Sequence, residues 1–287
     1  MLKSFNRTFS TMARKAGKFS KAQSLSDRIV LITGATAGIG SACAWRFADE
    51  GSKLIVVGRR GERLELLKKE LIEEYPNLKV HCEAMSVTDL PAVEALPESL
   101  PEEFKNVEIL VNNAGLALGV NPVYENTMKD AVTVMETNVT GLIAFVTAFV
   151  PGMKARGAGH IINMGSIAGH TPYQNGTIYN ASKFAVNGFT NASRFDLMHT
   201  PLRVTHISPG LVGNTEFSNV RLGSDDKAAA VYQDVVPLSP EDVADNVHYA
   251  ATRPPHVQVS EIIMYATNQG GPRDIVRAGP DFGGPQP

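Results

Sequence analysis

The chain has 287 residues, 43% hydrophobic and 20% charged, with 25 glycines and 17 prolines spread along it, which excludes a disordered or collagen-like protein. Two cysteines, Cys43 and Cys82, are too few for a disulfide framework, and the seven histidines show no metal-ligand spacing, so no metal site is read. Lys and Arg number 27 against 29 Asp and Glu, but six of those cations and none of the acids fall in residues 1–26, and the acidic remainder repels phosphate backbones, against nucleic-acid binding.

Residues 1–26 are read as a separate extension. Leu2, Phe5, Phe9, Met12, Ala16 and Phe19 recur at helical spacing among Lys3, Arg7, Arg14, Lys15, Lys18 and Lys21. An acid-free amphipathic start with Arg and Ser matches a mitochondrial transit peptide, which places the protein in the matrix. The alternative is a solvated tail, or translation from Met12, and a cytoplasmic protein. The longest mainly apolar stretch, Gly141 to Val150, is too short to span a bilayer, so no membrane insertion is expected.

From residue 27 strand and helix alternate. Arg28 to Thr33 is a β-branched run, followed by a helix over Ile39 to Glu50 that Gly51 closes. Lys53 to Val57 is a second strand, Glu62 to Glu74 a charged helix, and Leu78 to Glu83 a third strand. A proline-interrupted segment from Asp89 leads to a strand over Val107 to Val111. A helix from about Asn126 to Phe149 precedes a strand at Gly159 to Met164, and a helix over Thr177 to Met198 precedes Arg203 to Ile207. The last pair is a helix near Pro240 to Ala250 and a strand at Glu261 to Tyr265. Continuous apolar strands separated by helices predict an α/β fold: one doubly wound, Rossmann-type domain over residues 27–287, its parallel sheet covered on both faces. Such sheets bind ligands beyond the carboxyl ends of their strands.

The first strand ends in Thr33-Gly34-Ala35-Thr36-Ala37-Gly38-Ile39-Gly40. Glycines there permit a tight turn and close approach of a pyrophosphate, and the helix start offers free N–H groups. The spacing Gly-x3-Gly-x-Gly differs from the usual Gly-x-Gly-x-x-Gly fingerprint. At the end of the second strand, where an NAD site carries an acid for the ribose, stand Gly58, Arg59 and Arg60. Guanidinium groups there favour a 2′-phosphate, so NADP is read over NAD.

Ser166 follows the fifth strand, and Tyr179 and Lys183 lie at i and i+4 on one helical face. A tyrosine with a pKa near 10 needs help to act as a base, and a neighbouring ammonium favours its phenolate. Tyr179 then exchanges a proton with a substrate alcohol or carbonyl, while Ser166 hydrogen-bonds the same oxygen.

Thr33 to Gly40, Asn112-Asn113-Ala114-Gly115, Asn138, Ser166, Tyr179, Lys183 and Pro209-Gly210 together resemble the short-chain dehydrogenase/reductase family over roughly residues 27–270. The resemblance implies Tyr179 as acid/base, Lys183 on the nicotinamide ribose, Ser166 orienting the reacting oxygen and Asn138 holding a water in a proton relay. It also implies cofactor contacts from Gly34, Thr36, Gly38, Ile39, Gly40, Asn113, Pro209, Val212 and Thr215. Relatives place an aspartate after the third strand for the adenine; here Ser86 stands there.

Asn113 to Gly119 and Pro209 to Arg221 resemble the branch of NADP-dependent 3-hydroxy acid dehydrogenases, which includes serine and L-allo-threonine dehydrogenases and malonic semialdehyde reductases. That likeness implies a homotetramer in which the helices bearing Asn138 and Tyr179 pack between subunits. It also implies a small hydroxy acid or carbonyl acid substrate, oxidised or reduced at C3, and Arg221 is either its carboxylate partner or a surface residue. Reduction of other ketones or 3-oxoacyl thioesters is the alternative enzyme reading, and an NADP-sensing binding protein the alternative without catalysis.

Overall fold

The apolar runs require strands covered on both faces. The computed structural model, which describes residues 22–277, builds them that way. Seven strands form one sheet: β1 (Ile29–Thr33), β2 (Lys53–Gly58), β3 (Val80–Ala84), β4 (Ile109–Asn112), β5 (His160–Met164), β6 (Arg203–Pro209) and β7 (Glu261–Met264). Every pairing is parallel, in the order β3-β2-β1-β4-β5-β6-β7. β1, β4 and β5 bury all their side chains, whereas β7 at the edge buries none completely.

Parallel neighbours need crossovers, which helices supply. In chain order these are α1 (Gly38–Asp49), α2 (Gly61–Glu74), α3 (Leu90–Ser99), α4 (Met128–Met135), α5 (Gly141–Arg156), α6 (Thr177–Leu197), α7 (Phe217–Leu222), α8 (Asp225–Tyr232) and α9 (Pro240–Ala251). Phe47, Leu64, Leu71, Val243 and Val247 cover one face of the sheet; Val93, Leu96, Phe145, Phe149 and Val186 cover the other. After β3 the chain returns to the far side of β1 to form β4, so a crevice opens where β1 and β4 end.

Four features depart from the sequence reading. The segment after Asp89 is a helix: Asp89 accepts from the Ala92 N–H at 3.3 Å, Pro91 sits in the first turn where its missing N–H costs nothing, and Pro97 falls near the end. A π turn at Glu136–Thr140 joins α4 to α5, so one helix runs from Met128 to Arg156. By length and composition alone that helix is able to cross a bilayer, which the short apolar stretch within it does not reveal. In this fold its inner face (Leu142, Phe145, Phe149, Met153) packs on the sheet. The short helices α7 and α8 carry too few turns to leave a periodic signal. Finally, the packed body begins before residue 27: the Gln23 N–H donates to the Thr252 carbonyl, and Leu25 is buried in the core. Lys3 to Lys21 of the basic extension lie outside the described residues.

Candidate active site

The turn from β1 into α1 leaves the helix start open. Asp89, Thr127, Ser224 and Ser239 cap α3, α4, α8 and α9, but the residue before α1 is Ala37, which offers no cap, and no acid stands in the first turn. Its first N–H groups are therefore free for an anion. Gly34 and Gly38 have φ of +68° and +53°, and a Cβ on Gly34 would lie 2.9 Å from Ala114 Cα, so a side chain there would both strain the turn and collide with the loop after β4. Asn113 Nδ2 donates to the carbonyls of Thr33 (3.0 Å) and Gly34 (3.3 Å) and fixes the shape of the turn. The open helix end and the close-packed glycine turn fit the pyrophosphate of a dinucleotide.

A cleft of about 1270 Å³ runs from this turn across the carboxyl ends of the strands. Among the residues proposed for the cofactor, Gly34, Thr36, Gly38, Ile39, Arg59, Arg60, Ser86, Asn113, Lys183, Pro209, Val212 and Thr215 line it. Gly40 does not. A Cβ on Gly40 would lie 2.3 Å from the Gly34 carbonyl, so the missing side chain lets α1 pack under the turn. At the β2 end Arg60 donates to Thr36 Oγ1 at 2.8 Å and pairs with Glu216 at 2.7 Å, and Arg63 binds the same carboxylate. These guanidinium groups hold the Glu216 carboxyl below its ordinary pKa, Arg63 most strongly. Glu216 escaped the sequence reading because it lies far along the chain from both arginines.

At the other end of the cleft Ser166, Tyr179 and Lys183 come together. Ser166 ends the strand with its Oγ accepting from the Ala168 N–H at 3.1 Å, which caps the turn Ile167–Gly169. Lys183 is buried; its Nζ donates to the Met164 carbonyl at 2.9 Å and lies 5.8 Å from the centre of the Tyr179 ring. Burial lowers the Lys183 pKa to about 8. The Tyr179 phenol is pushed up by burial and by Tyr173, against the Ser166 hydroxyl and the Arg221 guanidinium, which favour the phenolate. A second cation, which the sequence spacing did not show, joins Lys183 at the ring: the Arg221 guanidinium lies 5.7 Å from its centre, against 5.8 Å for the Lys183 ammonium.

Asn138 lies in the π turn, buried and outside the cleft lining. Its Oδ1 accepts from Leu116 N–H (2.8 Å), and its Nδ2 donates to the Leu116 carbonyl (2.8 Å) and to Ser182 Oγ (3.0 Å). The side chain thus secures the loop after β4 against α6. Arg221 reaches back from α7: Nε donates to the Gly119 carbonyl at 3.1 Å and Nη1 to the Tyr173 hydroxyl at 2.7 Å. Its Nη2 is buried with no partner. Tyr173 and Phe217 complete the wall; the Phe217 ring meets the edge of Tyr179 at 5.5 Å, and neither residue carries a motif by which the sequence could flag it.

The family model described as short chain dehydrogenase matches residues 28–224. An NADP-dependent 3-hydroxy acid dehydrogenase of Escherichia coli (strain K12) is 46% identical over 242 residues, 84% of this chain and 96% of the relative. A protein named sulfoacetaldehyde reductase 2 from Chromohalobacter salexigens is 45% identical over 84% of this chain and 95% of its own length. Among solved structures, the closed form of a serine dehydrogenase complexed with NADP+ superposes with a TM-score of 0.80 at 47% identity, covering 84% of this chain and 96% of that one.

Proposed function

The chain belongs to the short-chain dehydrogenase family, and from that membership we propose how its site works: as an NADP-dependent oxidoreductase acting on the C3 hydroxyl or carbonyl of small 3-hydroxy acids. The α1 start, Thr36, Arg59 and Arg60 would hold the phosphates of NADP, Ser86 would face the adenine, and Asn113, Lys183, Pro209, Val212 and Thr215 would flank the rest. Bound NADP accepts or returns the hydride.

The protein's own part is to hold the reacting oxygen and move its proton. Ser166 Oγ and the Tyr179 hydroxyl converge on one end of the cleft, so one donates a hydrogen bond to the substrate oxygen while the other exchanges the proton. In oxidation Tyr179 acts as phenolate and base; in reduction it acts as phenol and acid.

One observation carries the substrate class: the Arg221 Nη2, buried without a partner among the described residues while the rest of the guanidinium reaches over the Tyr179 ring. A buried N–H without an acceptor is costly, and a carboxylate two carbons from the reacting carbon would satisfy it. Serine, L-allo-threonine and 3-hydroxypropionate fit this description, as does a sulfonate in place of the carboxylate. Purified protein with NADP+ is expected to produce NADPH with these acids, and Tyr179→Phe is expected to lose at least about 100-fold of kcat. Arg221→Ala is expected to raise KM for the acids about tenfold or more while an uncharged alcohol changes little. Equal effects on both substrates would remove Arg221 from the substrate site.

The proposal extends to a homotetramer and to a matrix protein whose basic residues 1–26 act as the targeting segment; fusion of that segment to a fluorescent reporter tests the second point.

A further inference from the structure

Beneath the catalytic turn lies a group of side chains that proton exchange does not use. Glu261, at the start of β7, places Oε1 2.8 Å from His206 Nδ1 and 2.8 Å from His170 Nε2. Ser208 Oγ donates to the same oxygen at 3.2 Å. His206 belongs to β6 and is 1% exposed, while His170 follows the turn Ile167–Gly169. The three residues come from separate elements, so no spacing in the sequence marks them.

Two imidazoles and a carboxylate with ligand atoms within 4.8 Å of one another make a candidate metal set among the described residues. The hydrogen bonds decide against it. Asn187 Nδ2 donates to the Gly169 carbonyl at 3.1 Å and faces His170 Nδ1 at 3.3 Å. That nitrogen is therefore the acceptor, the proton of neutral His170 sits on Nε2, and Nε2 donates to Glu261. A metal would need the same nitrogen bare.

The two rings press on opposite ends of the turn that carries Ser166. A Cβ on Gly165 would lie 2.0 Å from His206 Nε2, so the imidazole sits directly against the residue between Met164, whose carbonyl anchors Lys183, and Ser166. At the far end His170 is tied through Asn187 to α6, one helical turn beyond Lys183. A Cβ on Gly169 would lie 2.6 Å from the Lys183 carbonyl, so the turn rests flush on that helix. One carboxylate on the edge strand thereby holds both rings, and both rings hold the turn.

We propose that Glu261 is a positioning residue for hydride transfer, acting through His206 and His170 to fix Ser166 and the Met164 anchor of Lys183 against Tyr179. The proposal rests on the reading of Ser166 and Tyr179 given above, which the wild-type single-turnover transient tests separately. Glu261→Ala removes the carboxylate that both imidazoles share and leaves them only Ser208 Oγ, 3.0 Å from His170 Nε2 and 3.3 Å from His206 Nδ1, whereas Glu261→Gln keeps a carbonyl oxygen in their reach. The assay uses whichever alcohol or carbonyl compound the wild-type chain turns over fastest, so the substrate class does not enter the outcome.

In single turnover of the NADP-bound protein, the rate constant reports the geometry of the reacting groups and the amplitude reports how many sites are folded. Glu261→Ala is expected to lower the rate constant about tenfold or more with Kd for NADP within about twofold of wild type, and Glu261→Gln to recover most of the loss. His170→Ala added to Glu261→Ala is expected to cost less than about twofold more, because the two act as one unit. A Glu261→Ala rate constant within about twofold of wild type, or a loss confined to amplitude, overturns the proposal.

Discussion

Tyr179 stands between opposing influences, and their balance sets how the reaction depends on pH. Burial and Tyr173 raise its pKa above 10, while Ser166 and Arg221 pull it down. Oxidation consumes phenolate, so its rate is expected to climb with pH from about 6 upward, approaching tenfold per unit while the phenolate is the minor form. Reduction consumes phenol, the dominant form at neutral pH, so it is expected to stay flat over the same range. Lys183, with its pKa lowered to about 8, loses its charge above that point, which withdraws a nearby cation and flattens the oxidative limb there. Arg221→Ala removes a cation that favours phenolate, so the limb is expected to move to higher pH, and a move to lower pH would contradict the assignment. Rates of NADPH formation across a pH series, in wild type and variant, check both signs. The spacing of Tyr179 and Lys183 is visible in the sequence; the Arg221 contribution is not, because it depends on how α7 folds back over the cleft.

At the scale of elements, α7 is pinned at both ends. Glu216 ties its start to Arg60 and Arg63 beside β2, and Arg221 ties its end to Gly119 and Tyr173. Tyr232 on α8 closes the segment on itself, its hydroxyl donating to the Val212 carbonyl at 3.1 Å with Ser218 Oγ at 2.7 Å. The Glu216 pairs are exposed, so each is worth roughly 0–1 kcal/mol. Glu216 nevertheless sits on the guanidinium that a 2′-phosphate needs, and the two anions compete for Arg60. Glu216→Gln is expected to tighten NADP+ relative to NAD+ by about threefold, read as the ratio of the two Kd values so that any loosening of α7 cancels. A ratio that falls would show that Glu216 helps to build the phosphate site. β1, β2 and β4 were legible because each is built on an unbroken apolar run, and the glycine turn, Ser166, Tyr179 and Lys183 because each lies near a strand end or on the helix after one. Glu216, Tyr173 and the Glu261 cluster were not, since pairings between distant strands and short helices leave no period or motif. The prolines after Asp89 misled for the opposite reason: they read as breakers, but they occupy positions near the helix ends that tolerate them.

At the scale of the molecule, the described residues present an apolar face that they leave uncovered. α4 exposes Met128, Val132 and Met135 at helical spacing, and the neighbouring α6 exposes Phe184 and Phe195, with Met198 just past its end and Phe195 75% exposed. Gly188 lies on the same side of α6 with nothing near its Cβ position, which lets another helix approach closely. An exposed apolar face of this kind marks an interface or a membrane contact. The charges of Lys129, Asp130 and Glu136 on the long helix favour a protein partner over lipid, since each would be costly in hydrocarbon. We propose a second copy as the partner, because a two-fold axis would set identical apolar rows against each other. The same helices carry Asn138 and Tyr179, so association on this face would be mechanically linked to the site. This two-fold pairing alone doubles the 30.9 kDa chain mass, and the proposed homotetramer, which needs a second axis, is expected to give four times it in light scattering without detergent. Phe195→Glu, which sets like charges against each other across the axis, is expected to reduce the assembly and lower kcat more than it weakens NADP binding. A wild-type chain that stays monomeric and fully active, or one that disperses only in detergent, would refute the second-copy assignment.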